Sequence, residues 1–283
     1  MIFSRKFGIF GAIDWLQFER TFMDLSRRSR LLWKGLRQRL HPHTAPSQTL
    51  LIVGMQRSGT NMLMDAFDKS PNTQVFHDWD ARAFEQYQLH DNDPIRQLTR
   101  HSRAHTVVFK TLFESTRTTD LLEQLQPARA IWLLRHYDDV VNSMVKSFGD
   151  MSAQLQKIVA DPDSNTPHGR GISADTHAAV GAVHHAGMDA HNTAALLWYI
   201  RNSSYLNQGC DQRDDIDLIL YENIVSDPVN QIRGVFERAS LPFSACMASH
   251  IHAHSVRRDQ PSGLDTPVRN LCDDLWQHLQ GDA

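Results

Sequence analysis

Five short, mostly apolar runs recur along the chain: TLLIVG (49–54), TQVF (73–76), TVVFK (106–110), AIWLLR (130–135) and IDLILY (216–221). They do not alternate apolar with polar, which is the pattern of strands covered on both faces. Between them, residues 60–69, 117–125, 138–148, 192–206 and 228–239 carry apolar positions at helical spacing. This alternation predicts a three-layer α/β domain, a mostly parallel sheet of about five strands with helices on both faces. Ligands of such sheets bind beyond the carboxyl ends of the strands. The residues that follow each run are therefore the ones to search for chemistry.

The pattern breaks in two places. Residues 1–46 read as a basic helical extension and linker ahead of a domain spanning 47–283. Nine Lys and Arg between Arg5 and Arg39 face only Asp14, Glu19 and Asp24. Leu16, Phe18, Phe22, Leu25, Leu32, Trp33 and Leu36 fit helical spacing loosely. Two readings stand: a helix packed on the domain with a solvated basic face, or peripheral contact of residues 1–40 with an anionic membrane. The first is preferred, because the apolar stripe is not clean. Between Gly149 and Asn192, Pro, Gly, Ser, Asp and five histidines (His168, His177, His184, His185, His191) suggest an irregular, lid-like insertion near 150–192. No metal is expected there, since no carboxylate or cysteine completes a ligand spacing.

Composition narrows the class without choosing a function. The chain has 283 residues, 41% hydrophobic and 22% charged, as an ordinary globular domain does. Its net charge of −3 gives no basic field for nucleic acid, so any anion site must be local. Cys210, Cys246 and Cys272 are scattered, with no zinc spacing or disulfide framework. With no long apolar span and charges too early for a signal peptide, the expectation is a cytoplasmic protein, with membrane association through the N-terminal segment as the variant.

The candidate chemistry lies after the runs. In GMQRSGTN (54–61), Gly54 and Gly59 have the spacing of a phosphate loop, and a helix opening near Gly59 would present free N–H groups to an anion. The lysine that an ATP loop requires is replaced by Thr60, and the cation is Arg57. A strand–turn–helix with incidental glycines is an equal reading of this stretch alone. In LLRHYDDVVNS, Arg135 ends a run and Ser143 follows eight residues later, with Asp138 or Asp139 as the helix N-cap. In YENIVSDP, Tyr221 ends the last run and Asp227-Pro228 opens a helix.

These three stretches, in order, resemble the sulfotransferases that use 3′-phosphoadenosine-5′-phosphosulfate (PAPS). GMQRSGTN is similar to that family's 5′-phosphosulfate loop, LLRHYDDVVNS to its 3′-phosphate motif, and YENIVSDP…VFERASLPF to a segment in its C-terminal third. The resemblance covers about residues 49–243. It implies sulfuryl transfer from PAPS to an acceptor hydroxyl, with 3′-phosphoadenosine-5′-phosphate (PAP) as product and no metal. It implies that Arg57, Ser58, Gly59, Thr60, Asn61 and Met62 hold the 5′-phosphate, that Arg135 and Ser143 hold the 3′-phosphate, and that Tyr221 belongs to the nucleotide site. Arg257 and Arg258 match a basic pair only loosely, and a surface pair is the equal alternative.

Two departures point toward the carbohydrate-type or bacterial branch. Cytosolic members carry K-T-H, whose histidine is the base, whereas here Lys110 and Thr111 precede Leu112. Met62 stands where those members have tryptophan. Carbohydrate- and tyrosine-sulfating members instead use a carboxylate after the second strand, and that resemblance implies Asp78 as the base, where they more often have Glu, with His77 next and Asp80 and Glu85 behind; a loop pairing of Asp78 with Arg82 is the structural alternative. Lys110 is expected at the sulfate. The acceptor is expected to be a saccharide or glycolipid. The competing readings are a P-loop kinase-type ATP-dependent transferase and an inactive nucleotide-binding scaffold.

Overall fold

The structure, a computed structural model, describes residues 29–161, 170–252 and 261–282. Residues 29–40 form helix α1, followed by β1 (Gln48–Gly54), α2 (Thr60–Lys69) and β2 (Thr73–Phe76). A small hairpin of β3 (Phe84–Glu85) and β4 (Gln88–Leu89) leads to α3 (Asn92–His101) and β5 (Thr106–Lys110). A 3-10 segment (Leu112–Arg117), α4 (Thr118–Gln124) and β6 (Ala128–Leu134) come next. Then follow α5 (Tyr137–Phe148), α6 (Ser152–Ala160), α7 (Ala174–Val183) and α8 (Ala190–Asn207). After β7 (Ile216–Leu220) stand α9 (Tyr221–Ser226), α10 (Pro228–Arg238) and α11 (Thr266–Gly281).

The main sheet is parallel throughout, in the order β2-β5-β1-β6-β7. Central β1 explains the unbroken apolar runs. Leu51 and Val53 face one core with Phe76, Phe109 and Trp132, covered by α5, α8 and α11. Leu50 and Ile52 face the other, with Val108, Ile131 and Leu133, covered by α2, α9 and α10. Each strand thus supplies apolar side chains to both layers. The five strand runs and five helical stretches expected from the sequence all appear, with ends shifted by two residues at most.

Helix α8 shows how a nearly all-round buried helix tolerates polar residues. Asn202 Nδ2, Ser203 Oγ and Ser204 Oγ donate to the carbonyls of Trp198 (2.9 Å), Tyr199 (2.8 Å) and Ile200 (3.2 Å), four residues back. The desolvated groups are satisfied within the helix itself.

Several expectations are corrected. Within 150–192, expected to be irregular, the described residues form helices α6 and α7, joined where His177 Nε2 meets the carbonyls of Ile158 (3.2 Å) and Val159 (3.1 Å). Small, weakly patterned residues hide α7, whose apolar positions do not form one face. His168 lies outside the described residues. Asp138 and Asp139 do not cap α5. His136 is the N-cap, accepting from Asp138 N at 3.2 Å. Asp138 is buried and accepts from both the N–H and the hydroxyl of Ser262, with Arg269 of α11 at 3.5 Å. Asp139 pairs with Arg135 instead.

Much of the basic extension, residues 1–28, lies outside the described residues. Helix α1 docks by its polar side: Lys34 Nζ donates to Asp68 O and Thr73 Oγ1, both at 3.1 Å, and Gln38 Nε2 to the carbonyls of Pro71 and Thr73, both at 2.9 Å. Burial pushes the Lys34 ammonium down to about 8. Leu31, Leu32, Trp33, Leu36 and Leu40 point to solvent.

Gly54 ends β1 at φ +132°, and a Cβ there would lie 2.5 Å from the Leu133 carbonyl oxygen on β6. Both the dihedral and the neighbouring backbone exclude a side chain. Gly54→Ala is expected to cost about 2 kcal/mol or more, from positive φ plus overpacking. Gly234→Ala within α10, where only the tip of Arg238 is near, is expected to be neutral or stabilising. Urea unfolding of the two variants beside wild type measures both.

Candidate functional site

Past the carboxyl ends of β1, β5 and β6 lies a cavity of about 1000 Å³. Among the described residues, Arg57, Lys110, Arg135 and Arg201 line it with one carboxylate, Asp78. A chain of net charge −3 thus concentrates cations in one concave place.

The β1–α2 loop forms the first wall. Arg57 takes φ +69°, and Gly59 takes φ +93° as N-cap of α2. The first helical bond of α2 runs from Leu63 N to Gly59 O at 3.2 Å. The N–H groups of Thr60, Asn61 and Met62 therefore stand at the open, positive end of the helix. Gly59 has a further reason to lack a side chain: a Cβ would lie 2.5 Å from the Tyr221 ring.

The Tyr221 ring also carries the Arg135 guanidinium, 4.3 Å from its centre. Arg135 also donates to Arg57 O at 3.1 Å and pairs with Asp139 at 3.4 Å, while its own carbonyl accepts from Trp198 Nε1 at 3.0 Å. Arg57 Nε donates to Ser143 Oγ at 2.9 Å. Loop, strand end and helix α5 thereby meet in one cluster of donors. Glu222 braces it from behind, accepting from His136 N at 3.0 Å, and burial pushes its carboxyl up.

The opposite wall follows β2 and β5. Asp78 Oδ2 and Lys110 Nζ form a buried ion pair at 2.8 Å. Arg82 pairs with Asp80 (2.6 Å), not with Asp78 as the structural alternative held. Beyond this pair the lining turns apolar, with Leu112, Phe113, Met144, Phe148, Leu197 and Ile200.

The cavity thus unites Arg57, Gly59, Thr60, Asn61, Met62, Asp78, Lys110, Arg135, Ser143 and Tyr221. Among the described residues it leaves out Ser58, His77, Asp80 and Glu85. Ser58 is buried, and His77 is buried with its ring stacked on Trp79 at 5.3 Å. Glu85 is exposed on β3. Arg257 and Arg258 lie outside the described residues. Sequence reasoning missed Arg201 and His250, because each reaches the cavity only through long-range packing. His250 Nε2 meets Met62 O and its Nδ1 meets Lys69 Nζ, both at 2.8 Å. A carbonyl on one side and an ammonium on the other fix the neutral tautomer with the proton on Nε2.

No protein-family model matches the sequence, and no curated protein matches it either. Among solved structures, the chain is similar to a domain of the Synechococcus olefin synthase at 12% identity and TM-score 0.47, covering 83% of this chain and 96% of that one. A domain from the curacin biosynthetic pathway gives 14% and 0.48, covering 81% and 98%. A mouse protein complexed with PAP gives 12% and 0.47, covering 84% and 86%. All three are sulfotransferases.

Removing one partner of the Asp78–Lys110 pair strands a buried charge, at a cost of about 3–5 kcal/mol. Asp78→Asn and Lys110→Met are each expected to destabilise strongly, and the double variant by clearly less than their sum. A double-mutant cycle of unfolding free energies measures the coupling.

Burial and the neighbouring Lys69 hold the His250 pKa below its usual value. The native state therefore prefers the neutral ring, and its contribution is complete above the unfolded value of about 6.5 and lost as pH falls below it. Wild type is expected to lose more melting temperature than His250→Gln between about pH 7 and about pH 5.5. Thermal melts across that window test the difference.

Proposed function

We propose that this protein is a sulfotransferase that moves a sulfuryl group from PAPS to an acceptor hydroxyl. The observation that carries the reading is the joined cluster Arg57–Ser143–Arg135 facing the Asp78–Lys110 pair across one cavity. In this reading the cluster would offer one group of donors to each phosphate of a nucleotide phosphorylated at both the 5′ and 3′ positions. The N–H groups at the start of α2 would take the 5′-phosphate, with Thr60 and Asn61 adding donors. Arg135, stiffened on Tyr221, would take the 3′-phosphate with Ser143. Arg57 lies between the two and would serve both.

Transfer then needs little beyond positioning and charge stabilisation. The acceptor oxygen attacks sulfur in line, the S–O bond to the 5′-phosphate breaks, and PAP leaves with the bonding pair. Asp78 would accept the hydroxyl proton on the oxygen not paired with Lys110. Lys110 would neutralise charge growing on the bridging oxygen. No metal is called for, because Arg57, Lys110 and Arg135 supply the cations.

The apolar lining beyond Lys110 favours a glycolipid or other amphiphile over a bare saccharide as acceptor. The outward face of α1, with Leu32, Trp33, Leu36 and Leu40 beside Arg37 and Arg39, supports peripheral contact with an anionic membrane. In this reading the protein works in the cytoplasm, at the inner membrane face.

Calorimetric titration with PAP, ATP and adenosine-5′-phosphosulfate tests the donor site. PAP alone is expected to bind in the micromolar range, and Arg135→Ala to weaken it by about a hundredfold, the worth of a charge-assisted pair. Equal binding of all three nucleotides would return the loop to the ATP-using transferases.

A further inference from the structure

The cavity holds a fourth cation that the transfer step does not use. Arg201 projects from α8 one turn beyond Leu197, and only 6% of it is exposed. Among the described residues its single hydrogen bond runs from Nη1 to Ser115 Oγ, and it forms no ion pair. The acid it feels most, Glu114, is already committed: Oε1 accepts from Leu89 N at 2.8 Å, and Oε2 faces Arg117 at 3.6 Å. Burial pushes the guanidinium down to about 10, the mark of a desolvated cation without a close counter-charge. A guanidinium offers five donors in a rigid fork, so most of this one's capacity is unspent on a cavity wall. Placing an unpaired cation there is costly unless a ligand compensates it.

Its position separates it from the nucleotide cluster. Arg57 and Arg135 bind one another and α5. Arg201 binds the 3-10 segment that follows Lys110 and carries Leu112 and Phe113. It stands on the acceptor side, among apolar residues.

Resting on the sulfotransferase reading, we propose that Arg201 is the anion-recognition residue of the acceptor subsite. The acceptor is then a hydroxylated organic anion with an apolar body. Its hydroxyl lies at Asp78, its body along Phe113, Leu197 and Ile200, and its carboxylate or ester anion on Arg201. A neutral saccharide would leave the guanidinium fork unpaired, and discrimination against such a ligand follows from that penalty.

Straight-chain probes read this directly. Wild type, Arg201→Gln and Arg201→Lys, each saturated with PAP, are titrated calorimetrically with ω-hydroxydecanoate and with decanediol. The hydroxy acid is expected to bind wild type about tenfold or more tighter than the diol. Arg201→Gln should lose that preference, Arg201→Lys should keep part of it, and PAP affinity should be the same in all three. Equal affinity for the two probes, no binding of either, or a preference that survives Arg201→Gln would overturn the proposal. Loss of PAP binding in both variants would do so too, by making Arg201 a residue of the fold. If wild type itself fails to bind PAP, the sulfotransferase reading falls, and the same titrations without nucleotide still judge the anion subsite.

Discussion

Three strand ends converge on the ring of Tyr221. The β1 loop approaches the ring so closely that Gly59 has no room for a Cβ, and the β6 end lays Arg135 over it. Tyr221 itself begins the helix after β7. This stack fixes a cation at the end of a sheet without an enclosing ring of carboxylates. Asp139 and the Arg57 carbonyl complete its hold, so the guanidinium is oriented before any ligand arrives. Gly54 repeats the constraint one turn earlier, where β1 passes the Leu133 carbonyl too tightly for any side chain. Loop geometry, cation placement and strand order are thus one packing problem.

The charge distribution follows from that scaffold. Among the described residues, four Lys and Arg side chains and one carboxylate line a cavity in a protein whose net charge is negative. They differ in how they are held. Arg135 is stacked and paired, Lys110 is buried against Asp78, Arg57 reaches Ser143 from a left-handed loop, and Arg201 is buried with most donors open. The first and third kinds are pre-aimed cations on the cavity wall. The second kind fixes the position of the Asp78 carboxylate through one of its oxygens.

The cavity edges are fastened from distant parts of the chain. The Lys69–His250–Met62 relay ties the segment before residue 252 to α2. Asp138, next to the Arg135 turn, holds Ser262 and Arg269 and so fastens α11 to the start of α5. Tyr137 joins the same node, its hydroxyl donating to Asp273 and accepting from Arg269 at 2.9 Å.

The sequence by itself determined the strands, the principal helices and the half of the cavity built from loops after strands. Unbroken apolar runs have one good solution, a parallel strand covered on both faces, and such strands place the residues after them at a common edge. Arg57, Arg135 and Tyr221 stood out as lining residues for that reason, Ser143 by its spacing on the next helix, and Lys110 only through the family resemblance. The tertiary structure alone decided which charges pair and what closes the cavity. Asp78 chose Lys110 because β2 and β5 are neighbours in the sheet, which nothing in the local spacing states. Arg201 and His250 were hidden for the same reason. Their roles arise from contacts between residues far apart in sequence, and a local pattern cannot encode a distant partner.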